Sequence, residues 1–374
     1  NLCTGLWMIG DTRKLAHLDA LRAGLAMWVF WGHLSVLCDL HVPVLSAPGA
    51  AVDCFMVISG FLMVFTTRRT LGASPNLRNA LNFYVVRFFR IAPLYYLMLL
   101  VCAPVAAEWD QLRTQWLQAL HGSNAPTPEP MTGLATPSGV LAHATFTFGL
   151  IPSLVDSVPL PDWSLSLEMQ FYLLFPLLAP WAWQHPIGRV ALVVGGAWLS
   201  WVVPQYLGSY SAPGLWAHFV QPSVILFKLN VFVCGMLMAH WYIGGASWQR
   251  SDLSSLTLAG LCLVTSKPQV WIFAVLLVYL LASPSSRLAG VLSHRLFSKR
   301  GDWSYGVYFI HIFLVCLLLW GLEQAWQVSS TGSVQPIAIA APACTVLALF
   351  ASAALYRLVE QSGMNVGRRL TQRV

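Results

Sequence analysis

Apolar residues run through this chain in stretches of about twenty, broken by short polar or basic punctuation. The stretches cover 21–40, 48–67, 83–106, 163–183, 188–207, 222–243, 253–267, 269–283, 303–322 and 337–357. A helix of about twenty such residues crosses the roughly 30 Å hydrocarbon core of a bilayer. Backbone groups in lipid must be satisfied internally, and runs this long and uniform argue for helices rather than alternating barrel strands. The pattern predicts an all-α integral membrane protein, a polytopic bundle of about ten transmembrane helices forming a single domain over 1–374. The seventh and eighth spans are short and separated only at Ser266-Lys267-Pro268.

Composition sharpens this. Of the 374 residues 57% are hydrophobic and only 9% charged, against about 25% charged in a globular domain, which excludes an ordinary soluble protein. Asn1–Lys14 lacks the pattern of a signal peptide, so the first span is expected to serve as its own insertion signal. With the N-terminus in the cytoplasm, 18 of the 21 Lys and Arg residues fall on inner loops or inner helix ends, and only Arg113, Lys228 and Lys267 fall toward the outer side. The positive-inside bias then puts both termini in the cytoplasm. The net charge of +7 is accounted for by topology and anionic lipid contact, with no nucleic-acid partner. The eight cysteines lie almost all inside spans with no C-x-x-C pair, and read as small apolar fillers rather than a disulfide framework or a metal site.

Residues 107–162 form the largest piece between spans, an outer loop with turn signals and little periodicity. Its Trp109, Trp116, His143, Phe146 and Phe148 suit either a lid that stacks on sugars or a loop resting aromatics at the interface. Residues 358–374 form a basic cytoplasmic tail. No internal repeat and no matched pair of Gly/Pro-broken spans is visible, which weakens a transporter reading without excluding it.

Polar residues inside the spans carry the chemistry. The first span holds Leu18-Asp19-Ala20-Leu21-Arg22 and then Trp31-Gly32-His33; eleven residues of helix advance about 16 Å through roughly three full turns, so Arg22 and His33 share a face. The second holds Ala51-Val52-Asp53-Cys54-Phe55 through Ser59-Gly60-Phe61. The third begins Arg87-Phe88-Phe89-Arg90-Ile91-Ala92-Pro93-Leu94-Tyr95. The fourth reads Trp163-Ser164-Leu165-Ser166-Leu167-Glu168 onward to Tyr172, and the ninth Ser304-Tyr305-Gly306-Val307-Tyr308-Phe309-Ile310-His311. Together these motifs resemble the membrane-bound acyltransferase-3 family, the bacterial O-acetylases of polysaccharides and related glycans, in the family's order and from the first span to the last. Leu358-Val359-Glu360-Gln361-Ser362 departs from it, lacking the proline of the family's Glu-x-Pro.

An ionisable side chain within a span is costly and marks a site by default. His33 suits a general base, since the imidazole titrates near neutrality; a structural hydrogen bond is the alternative. Asp53 either orients His33, as an aspartate does in a hydrolase triad, or meets water at the outer interface. Arg22 either binds a phosphate or the pantetheine arm or anchors the helix beside Asp19. Arg87 and Arg90, one turn apart, are either topological or, as the resemblance implies, a receptor for coenzyme A phosphates. Glu168 must face the bundle, to bind hydroxyls, support His33 or bond a neighbouring helix. Ser304, Tyr308 and His311 form one polar stripe, with His311 as second base, pocket wall or interhelical bond; Tyr308, His311 and Ser164 are the expected acceptor-binding residues.

The resemblance implies an O-acyltransferase of the bacterial inner (cytoplasmic) membrane. It would move an acetyl or other short acyl group from cytoplasmic acetyl-CoA to a hydroxyl of an exopolysaccharide, a lipopolysaccharide or a lipid-linked precursor. Catalysis would fall to His33, Asp53 and Glu168, acyl-CoA binding to Arg22, Arg87 and Arg90, and no metal is called for. With no soluble domain after the last span, transfer in one step is expected. The rival is a secondary transporter of a small anion or glycolipid using Arg22 and Glu168.

Overall fold

A computed structural model describes residues 15–72, 76–125, 130–184, 186–209, 212–245, 250–327 and 334–372. The N-terminal fourteen residues with Cys3, Pro126–Glu129 of the proline-rich stretch, and Arg373 lie outside them. The described residues are overwhelmingly helical: α1 (Ala16–Leu37), α2 (Pro48–Thr67), α3 (Leu77–Cys102), α4 (Ala106–His121), α5 (Pro137–Ala144), α6 (Trp163–Gln184), α7 (Pro186–Leu207), α8 (Leu229–Ile243), α9 (Arg250–Cys262), α10 (Pro268–Ala282), α11 (Arg287–Leu292), α12 (Arg295–Gly301), α13 (Ser304–Trp326), α14 (Gln335–Leu355) and α15 (Gln361–Gln372). One antiparallel pair of two-residue strands joins Gly208–Ser209 to Ala212–Pro213.

Among the described residues six helical stretches are long and apolar enough to cross a membrane: Ala16–Leu37, Pro48–Thr67, Leu77–Asn124, Pro186–Leu207, Ser304–Ala325 and Gln335–Gln372. Three more apolar helices, Leu229–Ile243, Leu253–Cys262 and Pro268–Ala282, are shorter. The fourth expected span falls on α6, which carries Glu168, Gln170 and two interior prolines, Pro176 and Pro180.

Local chemistry sets several boundaries. Asn76 caps α3, its side chain accepting from the Asn79 amide at 2.8 Å, and Pro48 opens α2 at a position where no backbone donor is needed. Small residues bring helices together where lipid supplies no hydrophobic drive. A β-carbon on Gly235 of α8 would lie 1.9 Å from the Val57 carbonyl oxygen of α2, and one on Gly60 of α2 would lie 2.1 Å from that of Phe232. The two backbones are therefore in direct contact. Gly301, ending α12, packs in the same way on Asp19 of α1.

The stretch expected as an irregular loop is built instead. It holds α4, α5 and three short 3₁₀ turns, and Trp109, Trp116, His143, Phe146 and Phe148 are all buried. Trp109, Leu112 and Trp116 recur at helical spacing and turn inward on α4, so these rings offer no face to a sugar. Arg113 pins α4 to a later turn, pairing with Asp110 at 3.0 Å and Asp156 at 3.8 Å.

The basic tail also has a place in the fold. A π-helical turn, Tyr356–Glu360, carries α14 into α15 without a break. Gly363 and Gly367 let α15 lie against Phe89 of α3, so the segment without the family's proline continues as helix and docks. Cys38, Cys54, Cys102, Cys234, Cys262, Cys316 and Cys344 are buried and free.

Candidate active site

One face each of α1, α2, α3, α6 and α13, with Phe232 of α8, lines a cavity of about 440 Å³. On α2 its wall is a stripe at helical spacing, Val52, Phe55, Met56, Ser59, Leu62, Met63 and Thr66. The stripe turns the apolar side of α2 to the cavity and leaves two hydroxyls in it, one near the middle and one at the far end. From Val52 to Thr66 the wall extends about 21 Å along the helix axis.

The Thr66 end is charged. Arg22, Arg87 and Arg90 all line it, with Asp19 and Asp302. Arg87 donates to Thr66 Oγ1 at 3.3 Å, and its guanidinium carbon lies 5.6 Å from the ring centroids of both Phe83 and Tyr172. Its Nε is buried and has no hydrogen-bond partner among the described residues. Arg22 is held by Asp19 at 3.7 Å. Asp302 lies in the connection between α12 and α13; burial raises its carboxyl above the ordinary range, and Arg22 and Arg90 oppose that rise.

Glu168 stands in the cavity wall with Arg22 and Arg87 as charged neighbours. Its Oε1 accepts from Ser59 at 3.1 Å and from Tyr172. The carboxylate thus joins α2 to α6 as well as facing the cavity. At the other end Ser164 and Tyr308 close the wall, their hydroxyls 2.6 Å apart, and Tyr308 also donates to the Pro161 carbonyl at 3.2 Å.

Immediately beyond Tyr308 lie the two histidines. His311 Nδ1 donates to the Tyr308 carbonyl, and His311 Nε2 is 3.1 Å from His33 Nδ1. Their rings lie 4.9 Å apart, although they are 278 residues apart in the chain. Neither lines the cavity itself.

Of the residues expected at the site, Arg22, Arg87, Arg90, Glu168, Ser164 and Tyr308 meet in one cavity, and His33 with His311 forms a pair at its end. Asp53 does not join them. Lys228, at the head of α8, lies 2.8 Å from Asp53 Oδ1 and 3.0 Å from Oδ2. Both carboxylate oxygens face Lys228, so Asp53 ties α2 to α8 and is not the hydrogen-bond partner of His33.

Other residues of the site had no assigned role. Ser59 and Thr66 sit on one α2 face, seven residues and two turns apart, a polar spacing visible in the sequence. Tyr172 follows Glu168 by one turn. Asp302, in a connection, gave no local signal; Glu360, noted only in the segment that lacks the family's proline, has its Oε1 buried and unpartnered among the described residues and reaches Gly306 from the π-helical turn after α14. Among the described residues no group of three or more His, Cys, Asp or Glu is placed to hold a metal ion.

The acyltransferase domain family designated acyltransferase 3 matches residues 15–357. The chain is 26% identical over 406 aligned positions to the acyltransferase MdmB of Streptomyces mycarofaciens, covering 95% of this chain and 93% of that protein. It is 25% identical over 292 positions to the exopolysaccharide production protein ExoZ of Rhizobium meliloti (strain 1021), covering 72% and 77%. No solved structure matches.

Proposed function

This chain belongs to the acyltransferase-3 family and is a membrane acyltransferase, and we propose that it transfers an acetyl or other short acyl group from cytoplasmic acyl-CoA to a hydroxyl of a cell-surface glycan. The observation that carries the reading is the polarity of this cavity, with three arginines at one end and Ser164 and Tyr308 at the other, the histidine pair lying just beyond. Coenzyme A has that polarity: phosphates at one end, a thin pantetheine arm, and a thioester at the tip. Clustered guanidinium groups suit the phosphates, and a wall of about 21 Å along α2 suits the arm. Arg22, Arg87 and Arg90 then face the cytoplasm, in keeping with the Lys and Arg bias, and His33 lies toward the outer side.

His33 is the general base of this scheme. The acceptor hydroxyl gives its proton to His33 as its oxygen bonds to the thioester carbonyl carbon. The carbon–sulfur bond breaks, and the departing thiolate recovers the proton from the imidazolium. Glu168, between the arginines and Tyr172, orients the arm or the acceptor through hydrogen bonds. A glycan acceptor agrees with the name of the relative from Rhizobium meliloti, and nothing in the site favours a secondary transporter over an acyltransferase.

The test is direct. His33→Ala should lower acyl transfer by at least about a hundredfold, the scale of a lost general base, with expression and acetyl-CoA binding intact. Mass spectrometry of O-acetyl groups on envelope glycans from cells carrying each form measures it. Retention of a tenth or more of wild-type acetylation assigns the base elsewhere.

A further inference from the structure

Resting on the acyltransferase reading above, we infer that His311 is a positioning residue for His33: a neutral imidazole whose Nε2 lone pair takes the place that an aspartate holds beside a general-base histidine. The partners of the two rings fix both tautomers. A carbonyl oxygen can only accept, so His311 Nδ1 must donate to the Tyr308 carbonyl, which leaves a lone pair on Nε2 of the neutral ring. That lone pair faces His33 Nδ1 at 3.1 Å. His33 Nδ1 also lies 2.9 Å from the Val29 carbonyl oxygen. With an acceptor on either side, His33 Nδ1 carries the proton, and the open base is Nε2.

The two rings are not interchangeable. His311 has 0% of its surface exposed, is flanked by the Phe30 and Tyr308 rings at 6.3 and 5.7 Å, and has both nitrogens engaged. His33 is half-buried, and its Nε2 has no partner among the described residues. Only His33 can meet an acceptor hydroxyl, and only His311 can stand behind it.

During transfer His33 is briefly a cation. The proton arrives at Nε2 from the acceptor, and Nδ1–H strengthens its bond to the His311 lone pair until the CoA thiolate takes the Nε2 proton away. A neutral acceptor suits this place in the membrane. It stabilises the imidazolium yet leaves no second fixed charge to be desolvated when His33 is neutral. The carboxylate nearest in sequence logic, Asp53, is committed to Lys228.

The protein in lipid nanodiscs, with ring-¹⁵N histidine, tests the inference by nitrogen chemical shifts, with the His33 and His311 signals identified from His33→Gln and His311→Gln. At about pH 8, where a neutral imidazole is the reference form, both rings should be the Nδ1–H tautomer, and His311→Leu should shift the His33 signal. In turnover with acetyl-CoA and an envelope-glycan extract, His311→Leu should lower kcat about ten- to hundredfold, the value of a hydrogen bond to a charged group, and leave KM for acetyl-CoA unchanged. His311→Gln, whose amide oxygen reaches toward the Nε2 position, should recover most of that loss. An Nε2–H tautomer at His33, wild-type kcat in His311→Leu, or equal loss in the Leu and Gln variants overturns the inference. Wild-type turnover in His33→Gln would instead overturn the base assignment on which it rests.

Discussion

Arg87 spends little of its hydrogen-bonding capacity inside the protein. One Nη donates to Thr66, two aromatic rings flank the guanidinium, and Nε has no partner among the described residues. In the proposed reaction such a guanidinium is suited to a phosphate of acyl-CoA. Arg87→Gln should raise KM for acetyl-CoA about tenfold with kcat nearly constant, as loss of ground-state and transition-state binding alike requires. Arg87→Lys should restore only part, because an ammonium lacks the planar fork. An unchanged KM in Arg87→Gln would remove this residue from the donor site. Asp302 supplies a pH test at the same end. Its carboxyl is raised by burial, so it loses its charge, as pH falls, sooner than an ordinary carboxylate. Above its raised value the charged Asp302 weakens the arginine field and opposes an anionic ligand; below it that opposition is gone. Asp302→Asn should therefore bind acetyl-CoA more tightly than wild type at about pH 8, and the gap should close as the pH falls toward the usual carboxylate range near 4. Taking the difference between the two proteins cancels the titration of the ligand's own phosphates, and isothermal calorimetry across that range measures it. A gap that is constant or widens on acidification contradicts the assignment. Single residues were the most legible part of the sequence, since an arginine, histidine or glutamate in an apolar run stands out alone. Their partners were not. The Asp53–Lys228 and His33–His311 pairs join residues 175 and 278 positions apart, and no local pattern encodes such a meeting.

The helices that carry these residues are held by contacts a sequence only hints at. Gly60 and Gly235 let α2 and α8 touch backbone to backbone, and α2 is the long wall of the cavity. Gly235→Ala would place a methyl group 1.9 Å from the Val57 carbonyl, so the helices must separate. We expect a loss of stability of about 1–3 kcal/mol, the usual cost of overpacking. It would be read as a lower thermal midpoint in detergent, and a midpoint equal to wild type would show that α2 can move away without cost. The α2 stripe, with Ser59 and Thr66 on it, has a helical period that the sequence carries, but only Asp53 and the family motif stand out there. The same period was present in Trp109, Leu112 and Trp116 and was outweighed by the prolines, threonines and serines that follow. The region between α3 and α6 therefore read as loop, where the structure has α4 and α5 packed on the bundle. Likewise, an unbroken helical path through Glu360 into α15 is what the missing proline permits.

Taken whole, the described residues form an apolar helical bundle with a polarised cavity among α1, α2, α3, α6 and α13. The helical membrane character was legible from apolar run lengths alone, because the thickness of a bilayer and the rise of a helix leave few alternatives. Which spans are long, which are short, and which faces meet were not, since uniformly apolar helices carry no strong preference for one neighbour over another. The family motifs fall on α1, α2, α3, α6 and α13, and six of the expected residues line the cavity among those helices. The central claim is transfer across the membrane, from a donor bound at the arginine end to an acceptor met at the histidine end. Proteoliposomes test it most directly. The protein is oriented with the arginine end outward, labelled acetyl-CoA is supplied outside, and envelope glycan is sealed in the lumen. Because acetyl-CoA does not cross a bilayer, label on the luminal glycan with wild type, and none with His33→Ala, is the predicted result; label only on glycan placed outside with the acetyl-CoA would contradict it.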